Sequence, residues 1–95
     1  MTNALVVRPS ASRDIAEAHA YHSQHGRGDD FMSAIDQVFS WIAERPLMYP
    51  LVYGAVRRAL LRRFAYAAFF TIDGDTVVIL ALHHQRRDPS LRPRP

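Results

Sequence analysis

Tyr66-Ala67-Ala68-Phe69-Phe70-Thr71-Ile72-Asp73-Gly74-Asp75-Thr76-Val77-Val78-Ile79-Leu80-Ala81-Leu82-His83-His84 is two apolar runs separated by Asp-Gly-Asp. Gly and Asp accept the positive φ of a tight turn, so Tyr66–Ile72 and Thr76–His84 are expected to form an antiparallel hairpin. A turn at Asp73-Gly74 or Gly74-Asp75 sets even residues of the first run beside odd residues of the second. One face then carries Tyr66, Ala68, Phe70, Ile72, Val77, Ile79, Ala81 and His83. The other carries Ala67, Phe69, Thr71, Val78, Leu80, Leu82 and His84. Both faces are apolar, unlike those of a half-solvated sheet. One requires a covering layer; the other is expected to remain as an apolar patch that a partner covers.

The covering layer lies upstream. Ala11, Ile15, Ala18 and His22 form one stripe of a helix ending near His25, with Ser10 at the N-cap position and Asp14 and Glu17 near its positive end. Gly26-Arg27-Gly28 interrupts the pattern. A second helix follows with the stripe Phe31, Ile35, Val38 and Ile42, widened by Ala34 and Phe39, and Asp29 or Asp30 is the expected cap. Pro46 ends it, and Pro50 keeps the next stretch irregular. Ala4–Arg8, stopped by Pro9, and Val56–Arg63 read as further strands. The order is β-α-α-β-β-β. That is an α+β fold with a helical hairpin on one face of a mainly antiparallel four-stranded sheet.

Ninety-five residues hold one core, so residues 1–95 read as a single domain, with 89–95 a flexible Pro/Arg-rich tail. With no cysteine, disulfides and thiolate metal sites are excluded. No apolar run reaches the roughly 18 residues of a membrane span. Met1-Thr2-Asn3-Ala4 lacks the basic start of a signal peptide, so a cytoplasmic protein is expected. All twelve basic residues are arginine. Met1–Gly54 is net −2 and Ala55–Pro95 net +5. Codon bias explains arginine in place of lysine but not this asymmetry, which suits phosphate or carboxylate recognition.

In Val56–Arg63, strand geometry sets Arg58 and Arg62 on one face with Leu60, and Arg57 and Arg63 on the other with Ala59 and Leu61. These doubled arginines suit an acidic partner or phosphates; the alternative is a solvated edge strand protected by its charge. With the apolar face of the hairpin, the candidate binding residues are Arg57, Arg58, Arg62, Arg63, Phe69, Leu80, Leu82, Arg86 and Arg87. His84, followed by Arg86 and Arg87, has the residue types of RNA cleavage: an imidazole acid or base beside guanidinium groups. The alternative is that His84 bonds Asp88 or backbone, with Arg87–Asp88 a local pair. His19, His22 and His25 lack the spacing of a metal site, so neither metal nor organic cofactor is expected.

Several stretches together resemble the RelE/ParE toxin superfamily. Ala11-Ser12-Arg13-Asp14-Ile15-Ala16-Glu17-Ala18-His19-Ala20-Tyr21 is similar to its A-x-x-D-L-x-x-I-x-x-Y pattern. Ile42-Ala43-Glu44-Arg45-Pro46, Val56–Tyr66, Phe69–Asp75 and the ending His84-Gln85-Arg86-Arg87-Asp88-Pro89 follow in the family's order. The resemblance implies the β-α-α-β-β-β fold and the toxin of a type II toxin–antitoxin pair, with growth inhibition and plasmid stabilisation as its context. It implies neutralisation by an antitoxin whose acidic, amphipathic C-terminal segment wraps the toxin.

The H-x-R-R-D-P ending is similar to the ParE branch, which implies inhibition of DNA gyrase without enzymatic activity. The alternative is a RelE-like ribosome-dependent mRNA endonuclease with catalytic His84, Arg63 and Arg87, Arg62 assisting as a phosphate clamp. A third reading is a non-toxic, degenerate member that acts only as a protein-binding module.

Overall fold

The computed structural model describes residues 2–87 and 92–95. Strand β1 (Ala4–Val7) leads into helix α1 (Pro9–Gln24), which turns back into α2 (Gly28–Glu44). A single 3₁₀ turn (Pro46–Met48) then precedes β2 (Leu51–Tyr53), β3 (Val56–Leu60), β4 (Tyr66–Asp73) and β5 (Thr76–His84). The sheet therefore has five strands, one more than expected, in the order β1-β5-β4-β3-β2. β1 joins β5 in parallel across the helical crossover, and every other pairing is antiparallel.

The α2 stripe is buried as its periodicity requires, whereas in the α1 stripe Ala11 and Ala18 are buried and Ile15 and His22 only partly so. Ala11 and Ala18 of α1, with Phe31, Ala34, Ile35, Val38 and Ile42 of α2, pack on Ala59, Ala68, Phe70, Val77, Ile79 and Leu82 of the sheet. Leu61 and Phe64, from the β3–β4 loop, complete this cluster. The helices approach closely at Gly28, where an added Cβ would stand 2.3 Å from Ser23 Oγ. Gly74, at φ 59°, makes the β4–β5 turn, with Asp73 paired to Thr76.

The expected caps are corrected. Arg8 and Arg27 occupy the N-cap positions without capping their helices through the side chain, and Asp29 and Asp30 lie inside the first turn of α2. Ser10 and Asp14 instead serve β5. β1 ends beside Ile79, leaving the next stretch of β5 without a strand on that side. One helical turn apart on α1, Ser10 Oγ donates to the Leu80 carbonyl (2.9 Å), and Asp14 Oδ2 accepts from the Leu82 N–H (3.0 Å).

The expected strand at Val56–Arg63 stops at Leu60. Leu61 turns inward, and Arg63 takes φ 70°, which no strand admits. The face assignment of β5 changes as well. Phe70 pairs with Ile79 but Phe69 with Ala81, so Leu80 is the extra residue of a β-bulge. Beyond it the strand's faces exchange. Leu82, expected on the open face, is 3% exposed in the helix-packed core; His84 follows it to that side, and Ala81 and His83 move to the open face.

Candidate functional site

The register of β3 separates its doubled arginines. Arg57 pairs with Phe70 and Arg58 with Phe69, so the two point to opposite sides of the sheet. Arg57, half-buried on the helix side, donates from Nη1 to the Tyr49 carbonyl (2.6 Å). Arg58 faces the open side with Leu60 and Phe69. Two residues later β3 ends, and the paired arginines there follow a different path. Arg62 lies 6.0 Å from the Trp41 ring, and Arg63 faces α1 and the α1–α2 turn.

On the open face these placements leave a groove of about 410 Å³. Arg58 and Leu60 line it from β3, Ala67 and Phe69 from β4, and His83 and His84 from β5. Gln85 and Arg87 close the strand end, and Val52 and Tyr53 form the far wall. Arg92 and Pro93 also line it. The Arg92 guanidinium lies 4.9 Å from the Tyr53 ring centroid, and the Tyr53 hydroxyl donates to the Pro93 carbonyl. From the other edge of the sheet, Arg8 Nη1 donates to the Arg94 carbonyl (3.0 Å). The two edges thus hold adjacent tail residues against the open face.

That face is less bare than its sequence suggests. Val56, Ala67, Leu80 and Ala81 are buried outside the helix-packed core, while Leu60 at 52% and Val6 at 50% remain exposed. Three guanidinium groups, from Arg58, Arg87 and Arg92, meet an apolar and aromatic floor, and no carboxylate is among the described lining residues. His83 is held below the usual imidazole range, first by burial and then by Arg87, partly opposed by Asp14. The Tyr53 hydroxyl is raised by burial, with Arg92 opposing. The groove therefore presents fixed positive charge, a neutral imidazole and apolar surface together.

The candidate site residues divide accordingly. The structure brings Arg58, Phe69, Arg87 and His84 together, and adds His83, Tyr53 and Arg92, which sequence reasoning missed. Arg63 lies on the opposite side from Arg87, with His84 lining cavities on both sides. The proposed trio His84, Arg63 and Arg87 therefore does not share one cavity. Arg86 is exposed, and its N–H donates to His84 Nδ1 (3.1 Å). Leu80 is 2% exposed in the bulge. Asp88, considered as a partner for His84 or Arg87, and Pro89–Leu91 of the expected tail lie outside the described residues.

His22 packs among Phe31, Phe64 and Tyr66, with ring centroids 4.9–5.7 Å away. Among the described residues, no group of three or more His, Cys, Asp or Glu side chains is placed to hold a metal ion. No helix there is long and apolar enough to cross a membrane.

Comparison with known proteins agrees with this architecture. The family model described as ParE toxin of type II toxin–antitoxin system, parDE, matches residues 5–89. No curated protein matches in sequence. Among solved structures, the chromosomal ParDE toxin–antitoxin system from P. aeruginosa superposes with a TM-score of 0.66 at 16% identity, covering 87% of this chain and 96% of that one. The toxin–antitoxin complex RelBE2 from Mycobacterium tuberculosis also gives 0.66, at 22% identity, covering 88% of this chain and 99% of that one. At these identities the structural likeness speaks for the fold.

Proposed function

The chain belongs to the ParE toxin family of type II toxin–antitoxin systems, and from that premise we propose that it is a cytoplasmic inhibitor of DNA gyrase held inactive by a cognate antitoxin. The antitoxin's acidic, amphipathic C-terminal segment binds the open-face groove. Gyrase is the target that the resemblance to the ParE branch implies. The groove supplies the support for the antitoxin: Arg58, Arg87 and Arg92 stand over Phe69, Tyr53 and Leu60 with no carboxylate among the described lining residues. Acidic side chains meet the guanidinium groups while apolar ones cover the floor, the pairing expected of a segment that folds as it binds.

A RelE-like endonuclease is the second reading, supported by one observation: His83, held neutral by burial and Arg87, shares the groove with Arg58 and Arg87. His83 would then take the nucleophile's proton and the arginines the phosphate charge. His84, at the groove's rim, remains the other candidate acid or base.

Induced expression followed by two assays separates the readings. Gyrase-linked double-strand breaks with intact mRNA, reproduced by purified protein with gyrase, support the first. Cut transcripts on ribosomes, lost in His83→Ala or His84→Ala at normal protein levels, overturn it in favour of the second. Unimpaired growth at high expression overturns both and leaves a binding module.

A further inference from the structure

A second cavity of about 410 Å³ opens at the same end of the sheet, on its helix side. Arg27 reaches it from the α1–α2 turn, Arg63 from the β3–β4 loop, and His84 from the end of β5; His22, Phe64 and Tyr66 form its aromatic wall. No acidic side chain is among its described lining residues.

The Arg27 guanidinium lies 4.5 Å from the Phe64 ring centroid, a cation–π contact that fixes its direction. Arg63, at φ 70°, is the one non-glycine with positive φ among the described residues. That conformation costs about 1–2 kcal/mol, and such strain concentrates where structure serves a ligand. His84 Nδ1 accepts the Arg86 N–H (3.1 Å), which assigns the imidazole proton to Nε2 as a donor. The local potential is positive: after burial, the fixed charge of Arg27 is the next cause that lowers the His22 pKa.

We propose that this cavity is a phosphate-binding site, separate from the open-face groove, in which Arg27, Arg63 and His84 Nε2–H hold the dianion of free orthophosphate or of a nucleotide's terminal phosphate. Two guanidinium edges and one imidazole offer about five N–H donors, more than the roughly four lone-pair sites of a carboxylate. A tetrahedral dianion accepts them all and supplies the missing negative charge. Arg27 and Arg63 stand outside the open-face groove, and His84 lines both cavities.

Thermal unfolding of the full chain in orthophosphate against chloride of matched ionic strength tests it. Phosphate should raise the Tm of the wild type. Arg63→Gly relieves the backbone strain, so it should be more stable than wild type in chloride yet bind phosphate at least about tenfold more weakly, a loss of ~1.4 kcal/mol. Arg27→Ala should weaken phosphate likewise, whereas Arg87→Ala, in the other groove, should not. A wild-type Tm equal in the two salts overturns the proposal; so does a phosphate response that survives both Arg27→Ala and Arg63→Gly. Short oligonucleotides with a 5′-phosphate or a 5′-hydroxyl then identify the source. Tighter binding of the phosphorylated form than of orthophosphate assigns a nucleotide end, and equal or weaker binding assigns free phosphate.

Discussion

His83 on β5 lies against Phe69 on β4, ring centroids 5.4 Å apart, on the sheet face turned away from the helices. Burial and the nearby Arg87 keep its imidazole neutral. Arg87→Ala removes the second cause, so the His83 pKa should rise. The imidazole Cε1–H resonance followed by NMR titration measures it, and an unchanged or lower value would contradict the placement of Arg87 in the groove.

His22 and His83 together predict a pH dependence of stability. Both are lowered from 6.5 by burial first, then by Arg27 and Arg87 respectively. Between the depressed folded values and 6.5 the unfolded chain binds more protons than the folded one, so stability rises with pH through that window. The contribution is complete above about 6.5 and is lost on acidification. Urea midpoints should fall from pH 7.5 to 5.5, less steeply in His22→Phe. Identical slopes for the variant and wild type would remove His22 as a cause.

Asp14 and Ser10 give a different kind of stability prediction. Asp14→Ala leaves the Leu82 N–H without its acceptor at a strand position with no neighbouring strand, and should cost about 1–3 kcal/mol. Ser10→Ala removes only the donor to the Leu80 carbonyl and should cost about 1 kcal/mol. Chemical denaturation measures both, and a neutral Asp14→Ala would mean that α1 does not hold the bulge.

The same pair shows where the sequence stops being legible. Ser10 and Asp14 have the residue types of a helix start, and nothing local distinguishes that role from bonding to a strand some seventy residues away. The bulge is equally silent, because Val77–Leu82 is apolar without interruption and alternation cannot mark an extra residue. One unpaired Leu80 then reversed Leu82, His83 and His84. β2 was hidden by its three-residue length and by Pro50, although Gly54, at φ 50°, marks the turn that follows it. What was legible rests on long periodicity: the Phe31, Ile35, Val38, Ile42 stripe is buried throughout, and Gly74 is in its turn. For the site, Arg58, Phe69 and Arg87 could be read from composition and alternation. Tyr53 and Arg92 could not, because only the tertiary fold brings the tail to β2.

Deleting residues 92–95 should uncover the open face without unfolding the protein. It removes the carbonyls that accept from Tyr53 and Arg8 and the guanidinium above the Tyr53 ring. A hydrophobic dye such as ANS should bind the shortened chain more strongly, with an unfolding free energy within about 1 kcal/mol of the full chain. Unchanged dye binding would show that these contacts do not shield the face in solution.

Arg57 and Arg58, adjacent in sequence, should behave as opposites. Arg57 gives a charge-assisted bond to the Tyr49 carbonyl on the helix side, and Arg57→Ala should cost about 1.5–3 kcal/mol of stability. Arg58 is exposed in the groove, so Arg58→Ala should change stability by no more than ~0.5 kcal/mol. Its effect belongs to binding: Arg58→Glu places a carboxylate where an acidic segment is proposed to lie, and should weaken the antitoxin complex by at least about tenfold, or ~1.4 kcal/mol. Added salt should weaken the wild-type complex and narrow its advantage over Arg58→Glu, because screening reduces attraction and repulsion alike. Denaturation curves for the two alanine variants and calorimetric titration with the cognate antitoxin separate the roles. A destabilised Arg58→Ala, or an Arg58→Glu that binds as tightly as wild type, would place the charge recognition outside the groove.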